Sequence, residues 1–356
     1  VDDDSGSGGN GEGTALCAAS GVGGGARESA HRDPEGRGTG AALKSPRSPL
    51  SGTSKGDALF KGLLIVAAST IPALLIALLL ELSRGAVPAA RRFGLGFITS
   101  STWDPVAGQF GAWPAIFGTL LSSFLSLAMA VPLSLGVAIY LTEFAPGPIR
   151  RPVATVIELL AAIPSVVYGL WGIFVLIPFL KTWIYPVLQA RLGFLPFFAG
   201  PIYGPSVLSA ALILTIMIVP FVMSVSREVL LAVPSGQREA ALALGATRWE
   251  AVSTAIVPYA KSGIIGAVIL GLGRALGETM AVTMLIGNRH EVAASLFAPG
   301  YSMAAVIANE FADAAGGPIH ESALIYMALL LFAVTVIVNA GARLMIWRVS
   351  RGRGDA

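Results

Sequence analysis

Six predominantly apolar runs, about 61–82, 113–140, 152–180, 206–231, 262–287 and 321–347, dominate the chain. At a rise of about 1.5 Å per residue, each is long enough to cross ~30 Å of hydrocarbon as a helix. In lipid, every backbone N–H and C=O must find its partner within the segment, so a helix is the spanning structure these runs allow. Composition agrees: 54% of residues are hydrophobic and 13% charged, where soluble domains carry about a quarter charged. The 356 residues would permit two soluble domains by length alone, but the apolar runs overrule that prior. The expectation is an all-α integral membrane protein with six transmembrane helices.

Residues 1–56 are different in kind, with stretches such as GSGGNGEG and GVGGGARES. Such a segment buries too little apolar surface to offset its ordering entropy, so a disordered tail is expected. It holds no apolar stretch of the kind a cleavable signal needs. Cys17 is the only cysteine, and His31, His290 and His320 are too scattered for a ligand motif, so no disulfide framework and no metal site are expected. The net charge of +3 is small and comes from residues flanking the apolar runs, which does not suggest nucleic acid. The chain reads as tail 1–56, first helix and external loop 57–112, core 113–348, and tail 349–356.

Positive charge sets the orientation. With the N-terminus inside, the inner segments hold Lys44, Arg47, Lys55 and Lys61, then Arg150 and Arg151, then Arg227, Arg238, Arg248 and Lys261, then Arg343, Arg348, Arg351 and Arg353. The outer segments hold Arg84, Arg91, Arg92, Lys181, Arg191 and Arg289, a smaller set. Both termini are therefore expected in the cytoplasm, although the three arginines of loop 83–112 lean the other way. Trp103, Trp113, Trp183, Tyr185 and Trp347 fall near the predicted edges, as interfacial aromatics do. Pro132, Pro164, Pro178 and Pro220 lie in or near the runs and predict bent or broken helices. Outside, residues 302–314 have helical spacing with Ser302 as a cap, either on the surface or folded back into the protein.

Between the fourth and fifth runs lies a polar segment of unusual length, 234–260, containing EAALALGATRWEAVSTAIVP at 239–258. Connections between packed helices usually take 2–8 residues. Here Pro234 introduces a helix, Gly245 breaks it, and Thr247 with Glu250 forms a capping-box pattern that opens a second helix. A helix–turn–helix in water is a handle through which a partner can move the two flanking spans. The pattern of Glu239, Ala240, Ala241, Gly245 and Pro258 resembles the EAA loop of ABC importer permeases, with Val257 and Ala255 in place of the usual Leu and Ile. That resemblance implies the type I ABC importer permease fold and a loop that docks on a cytoplasmic ATPase.

The second signal is GLGRALGETMAV at 271–282, inside the fifth run. An ionised Arg274 at bilayer depth is costly, so it must face protein or a water-filled cavity. Glu278, four residues on, would share its helical face and pair with it. Gly273 with Gly277, and Ala267 with Gly271 and Ala275, are small residues at four-residue spacing that admit a close neighbour. A planar guanidinium suits an oxyanion, and a carboxylate beside it moderates affinity so that the anion can leave. Thr279, Thr283 and Asn288 lie on the same or the next turns; Ser165 and Tyr168 are weaker candidates for the path. Glu143 and Glu158 lie near the inner edge and read as interfacial or structural.

GRALGETMAV also resembles the phosphate-specific (Pst) branch of these permeases, as do AIYLTEFAP (138–146), residues 161–180 and residues 295–311. Met280-Ala281 and the 161–180 segment look like the PstC type rather than the PstA type. The resemblance covers most of 93–348 and implies an importer of inorganic phosphate in the cytoplasmic membrane. It further implies a second permease of the PstA type, two copies of a PstB-type P-loop ATPase and an external PstS-type binding protein. In the family, Arg274 and Glu278 match the transport-critical charged pair. No G-x-x-x-x-G-K-[ST], HExxH, EF-hand or GxSxG pattern occurs, so ATP and Mg are expected on the partner ATPase and no cofactor on this chain. Two further readings stay open: the same fold carrying sulfate, molybdate or phosphonate, and an ion-coupled secondary transporter. The latter lacks the internal repeat such proteins often show.

Overall fold

The structure, a computed structural model, describes residues 55–351, with side chains over 56–344. The tail expected at 1–56, with Cys17 and His31, lies outside these residues save for its last two positions, as does most of the tail expected at 349–356. The chain divides into two units, Val1–Leu63 and Leu64–Ala356. The described part of the first is the opening of a helix, and the second holds the rest of the fold.

Six helices among the described residues are long and apolar enough to cross a membrane: Gly56–Phe93, Trp113–Phe144, Ser165–Leu192, Val207–Leu231, Arg248–Leu276 and Pro318–Leu344. They are the first to sixth spans below. Two expected runs are redrawn. The run at 152–180 is split into a helix Gly147–Ala161 and the third span, where Pro164 disfavours helical backbone at Ile163 and itself stands extended at the head of Ser165–Trp171. The run at 262–287 is split at Gly277 into the fifth span and a short helix Met280–Leu285.

The fourth span is the centre of the bundle. Of its most apolar stretch 72% is buried, against none for the first span. In lipid, hydrocarbon is as apolar as leucine, so helices associate through close packing and polar contacts rather than through the hydrophobic effect. The second span meets that requirement with a stripe of small residues every four positions: Gly118, Ser122, Ser126, Ala130, Ser134 and Ala138, all buried. Across it, Ser134 Oγ donates to the Val219 carbonyl at 3.1 Å and Thr215 Oγ1 to the Ser126 carbonyl at 3.3 Å. The end of the first span is fastened to the sixth at Ser322, whose Oγ donates to the Gly85 carbonyl (2.8 Å) and accepts from the Ala89 N–H (3.0 Å).

The prolines act in a regular way. Among the described residues four five-residue π turns occur, at Tyr140–Phe144, Gly172–Leu176, Leu180–Ile184 and Val252–Ile256. Each is followed, after one residue, by a proline: Pro146, Pro178, Pro186 and Pro258. Proline has no N–H and its ring crowds the carbonyl four residues back. The residue before each proline donates instead to the carbonyl five residues back, as Ala145 N–H does to Tyr140 at 2.8 Å. Pro132 and Pro220, in contrast, lie inside continuous helix.

At the end of the bundle away from the 234–260 segment, a small antiparallel hairpin pairs Trp103–Asp104 with Gln109–Phe110. It is an addition to the all-α expectation. The helix expected after Ser302 forms as Met303–Glu310, capped by the Ser302 side chain. It folds back into the protein: Met303 to Val306 are buried, and the Met303 N–H donates to Thr119 Oγ1 at 2.8 Å. Tyr185 is not an interfacial aromatic. It is fully buried, with its hydroxyl 3.0 Å from Ser206 Oγ. Trp113 and Trp183 are exposed as expected, and the side chain of Trp347 lies outside the described set.

Candidate functional site

Arg274 sits in the last turn of the fifth span, a position that the negative end of a helix dipole favours for a cation. Around it Leu272, Ala275 and Leu276 are buried. Its guanidinium carbon is 6.0 Å from the centroid of the Phe221 ring on the fourth span. Its Nε is buried without a hydrogen-bond partner. Tyr168, at the head of the third span, is within Coulombic reach of the same charge and gives its hydroxyl to the Leu160 carbonyl at 2.8 Å.

Glu278 does not pair with Arg274. No ion pair joins them among the described residues. The physical reason is the break at Gly277: the i, i+4 relation holds only along a continuous helix, and the helix ends at Leu276. Glu278 turns instead to the next element and accepts from the Ala281 N–H at 3.3 Å, capping Met280–Leu285. Thr279 and Thr283 follow on that element, with Thr283 Oγ1 bonded to the Thr279 carbonyl at 2.7 Å. Asn288 ends the segment in left-handed backbone (φ 51°) and donates to the Thr283 carbonyl at 2.9 Å. The structure thus gathers Arg274, Glu278, Thr279 and Thr283 around one helix break, with the cation unpaired.

The small residues divide. A Cβ on Gly271 would lie 2.6 Å from Val222 Cγ2, so the fourth and fifth spans meet there, beside the buried Ala267 and Ala275. A Cβ on Gly273 would meet only Asn339, at 3.8 Å, and one on Gly277 only its own chain, at 3.5 Å. Of the two stripes expected to admit a close neighbour, the one through Ala267, Gly271 and Ala275 does so, and the one at Gly273 and Gly277 does not; Gly277 serves as the stop of the helix.

The 234–260 segment forms a helix Ser235–Ala243, a turn, and a second helical start at Arg248. Gly245 makes the turn at φ 86°, a conformation L side chains avoid. The capping box is complete: Thr247 N–H donates to Glu250 Oε2 at 2.7 Å, and Glu250 N–H to Thr247 Oγ1 at 3.3 Å. Glu239, Ala240, Gly245 and Pro258 are exposed and Ala241 is half-buried. Leu242 (43% exposed), Leu244 (90%) and Trp249 (61%) project apolar side chains outward from the loop.

Two arrangements were not visible along the chain. Arg238 grips Glu143 with both nitrogen donors, Nε to Oε2 at 2.9 Å, and so ties the first loop helix to the end of the second span. Glu143 is only 9% exposed, a structural role for a residue read as interfacial or structural. At the opposite end, Glu310 accepts from Trp103 Nε1 (2.6 Å) and contacts His290 Nε2 (3.2 Å) and His320 Nε2 (3.1 Å). Burial pushes the Glu310 carboxyl up, but the bonds from His290, Trp103 and His320 outweigh it and hold the group below its ordinary range. The hydroxyl of Tyr301, whose ring lies tilted against His290 with centroids 4.4 Å apart, is raised, first by burial and also by the Glu310 charge, against a lowering bond from Asn309. Two of the scattered histidines, His290 and His320, thus meet at one carboxylate. The 95 and 207 residues separating Arg238 from Glu143 and Glu310 from Trp103 leave no local signal for either contact. No group of three or more metal-ligating side chains fit to hold an ion occurs among the described residues.

The family profile described as binding-protein-dependent transport system inner membrane component matches residues 130–351. A protein of Haemophilus influenzae named phosphate transport system permease protein PstC is 46% identical over 84% of this chain and 95% of its own length. One of Mesorhizobium japonicum with the same name is 44% identical over 84% and 92%. The Mycobacterium tuberculosis protein named PstC 2 is 41% identical over 81% and 91%. Among solved structures, a chain of a bacterial alginate ABC transporter in complex with its pentasaccharide-bound periplasmic protein aligns with a TM-score of 0.55 at 17% identity. It covers 84% of this chain and 98% of that one, and shows the shared fold. The chain belongs to the binding-protein-dependent transport system inner membrane component family, as a multi-pass permease subunit with the ABC importer permease fold.

Proposed function

We infer that this chain is the PstC-type permease of an ATP-driven importer of inorganic phosphate in the cytoplasmic membrane. One observation carries the site: an unpaired guanidinium at a helix break in the fifth span, in a chain 44–46% identical to proteins named phosphate transport permeases. An oxyanion supplies what Arg274 Nε lacks, a charge-assisted hydrogen bond. Because Glu278 is turned away as a cap, the resting Arg274 is open to its ligand, and Thr279 and Thr283 line the next turn.

The remaining parts follow from this reading. Both termini and the 234–260 loop face the cytoplasm. Leu244 and Trp249 on the loop seat in a groove of a PstB-type ATPase, present in two copies, which binds ATP and Mg; this chain binds no cofactor. A PstA-type permease forms the other half of the pore, and a PstS-type binding protein delivers phosphate from outside. Nucleotide acts by favouring one arrangement of the spans over another, since only a differential interaction shifts an equilibrium.

The test is phosphate uptake by vesicles holding the whole assembly. Arg274→Gln is expected to lower uptake at least about tenfold, the loss of one charge-assisted bond, while the assembly still co-purifies. Full uptake by that variant removes Arg274 from the path. Sulfate that competes as well as phosphate overturns the substrate.

A further inference from the structure

We propose that the bundle carries a second anion site, separate from Arg274, for a phosphate group at the end bearing the 234–260 loop. A cavity of about 570 Å³ opens there between the end of the second span and the two loop helices. Arg150, Arg238 and Arg248 line it, with Glu143 as its one carboxylate. Three guanidinium groups against one carboxylate leave two positive charges, and Glu143 is already gripped by Arg238 through both donors. No salt bridge engages Arg150 or Arg248 among the described residues. Arg150 makes one long bond, from Nη2 to the Ala145 carbonyl at 3.4 Å, and its Nε is buried with no partner.

A buried donor without an acceptor is costly, and more so when it is charged. A ligand that accepts from it removes that cost. Pro146, immediately before the helix Gly147–Ala161, also lies in the wall, so the positive end of a fifteen-residue helix adds to the same field. Planar guanidinium forks match a tetrahedral oxyanion. The space exceeds a bare anion, and Phe144, Leu242 and Ile256 give it an apolar side. The chemistry is therefore a phosphate group with two possible sources, the headgroup of an anionic phospholipid or free inorganic phosphate. Occupancy would brace the Arg238–Glu143 clamp, which joins loop to span, and so bear on how the loop moves.

The experiment uses the full chain carrying Arg274→Gln, so that the pathway site does not contribute, in nanodiscs of phosphatidylcholine alone or mixed with phosphatidylglycerol. Radiolabelled orthophosphate is titrated by equilibrium dialysis, and retained lipid is counted by native mass spectrometry. One saturable phosphate per chain, or one retained phosphatidylglycerol, is expected. Adding Arg150→Gln with Arg248→Gln is expected to weaken that binding at least about tenfold, the factor for one lost charged bond. Phosphate displaced by phosphatidylglycerol assigns the site to lipid; phosphate indifferent to it assigns the site to the free ion. Neither ligand bound, or both bound equally by the double variant, overturns the proposal. Should the Gln pair fail to purify, Arg150→Gln alone is measured, and unchanged binding by it overturns the site.

Discussion

Among the buried charges of the described residues, two have roles that a single substitution tests. Arg274 is one, and its role is tested by transport. Glu310 is the other, and its role is tested by pH. Its folded carboxyl lies below the ordinary range, so its stabilisation is complete above the unfolded value, about 4.3, and disappears as pH falls through the depressed folded value. Glu310→Gln is expected to destabilise the purified protein by roughly 1–3 kcal/mol at neutral pH. The gap from wild type should close as pH falls below the ordinary carboxylate range. Thermal unfolding in detergent at both ends of that window measures it, and a gap that does not change with pH counts against a charged Glu310 as the hub of the cluster.

Elements are shaped here by where the backbone ladder is interrupted. Each π turn is followed by a proline, and one of them, Val252–Ile256 before Pro258, lies where the loop enters the fifth span. The loop's other hinge is Gly245 at φ 86°. A side chain there is strained by about 1–2 kcal/mol, so Gly245→Asp is expected to leave the spans folded while reducing ATP-dependent uptake several-fold. Equal uptake and equal ATPase stimulation would show the turn to be indifferent. Packing gives a second contrast. Gly271→Ala puts a methyl 2.6 Å from Val222, and overpacking costs typically 1–3 kcal/mol. Gly273→Ala meets nothing nearer than 3.8 Å and is expected to be neutral or slightly stabilising. Identical melting of the two variants would contradict the close approach at Gly271.

Across the whole molecule, the Arg238–Glu143 clamp joins the loop to the second span, and the Glu310 cluster joins the hairpin, the buried helix Met303–Glu310 and the head of the sixth span at the far end. A device that transmits force needs such fixed joints, because a slack loop would move without its span. Glu143→Arg is expected to reduce coupled uptake several-fold by placing like charges together, and adding Arg238→Glu should restore part of it. Failure of the swap to recover any uptake would mean that the contact is not the joint. None of the first span's most apolar stretch is buried among the described residues, which leaves an apolar surface of the kind that hydrocarbon suits.

The sequence by itself determined the class, the number of spans, the loop with its capping box and the charge within the fifth span. All are properties of local pattern: apolar length, helical spacing, turn chemistry and the expense of a buried cation. It was enough to single out Arg274 and Gly245. It misplaced Glu278 because spacing assumes an unbroken helix, and it left open which of two stripes, Gly273 with Gly277 or Ala267 with Gly271 and Ala275, would be tightly packed, because a stripe of small residues does not say which neighbour it will face. Only the tertiary structure decided what lies between distant segments: Arg238 on Glu143, two histidines on Glu310, Tyr185 drawn inside, and three arginines around one cavity. Those contacts join residues far apart in the chain, and their energies exist only once the helices have packed.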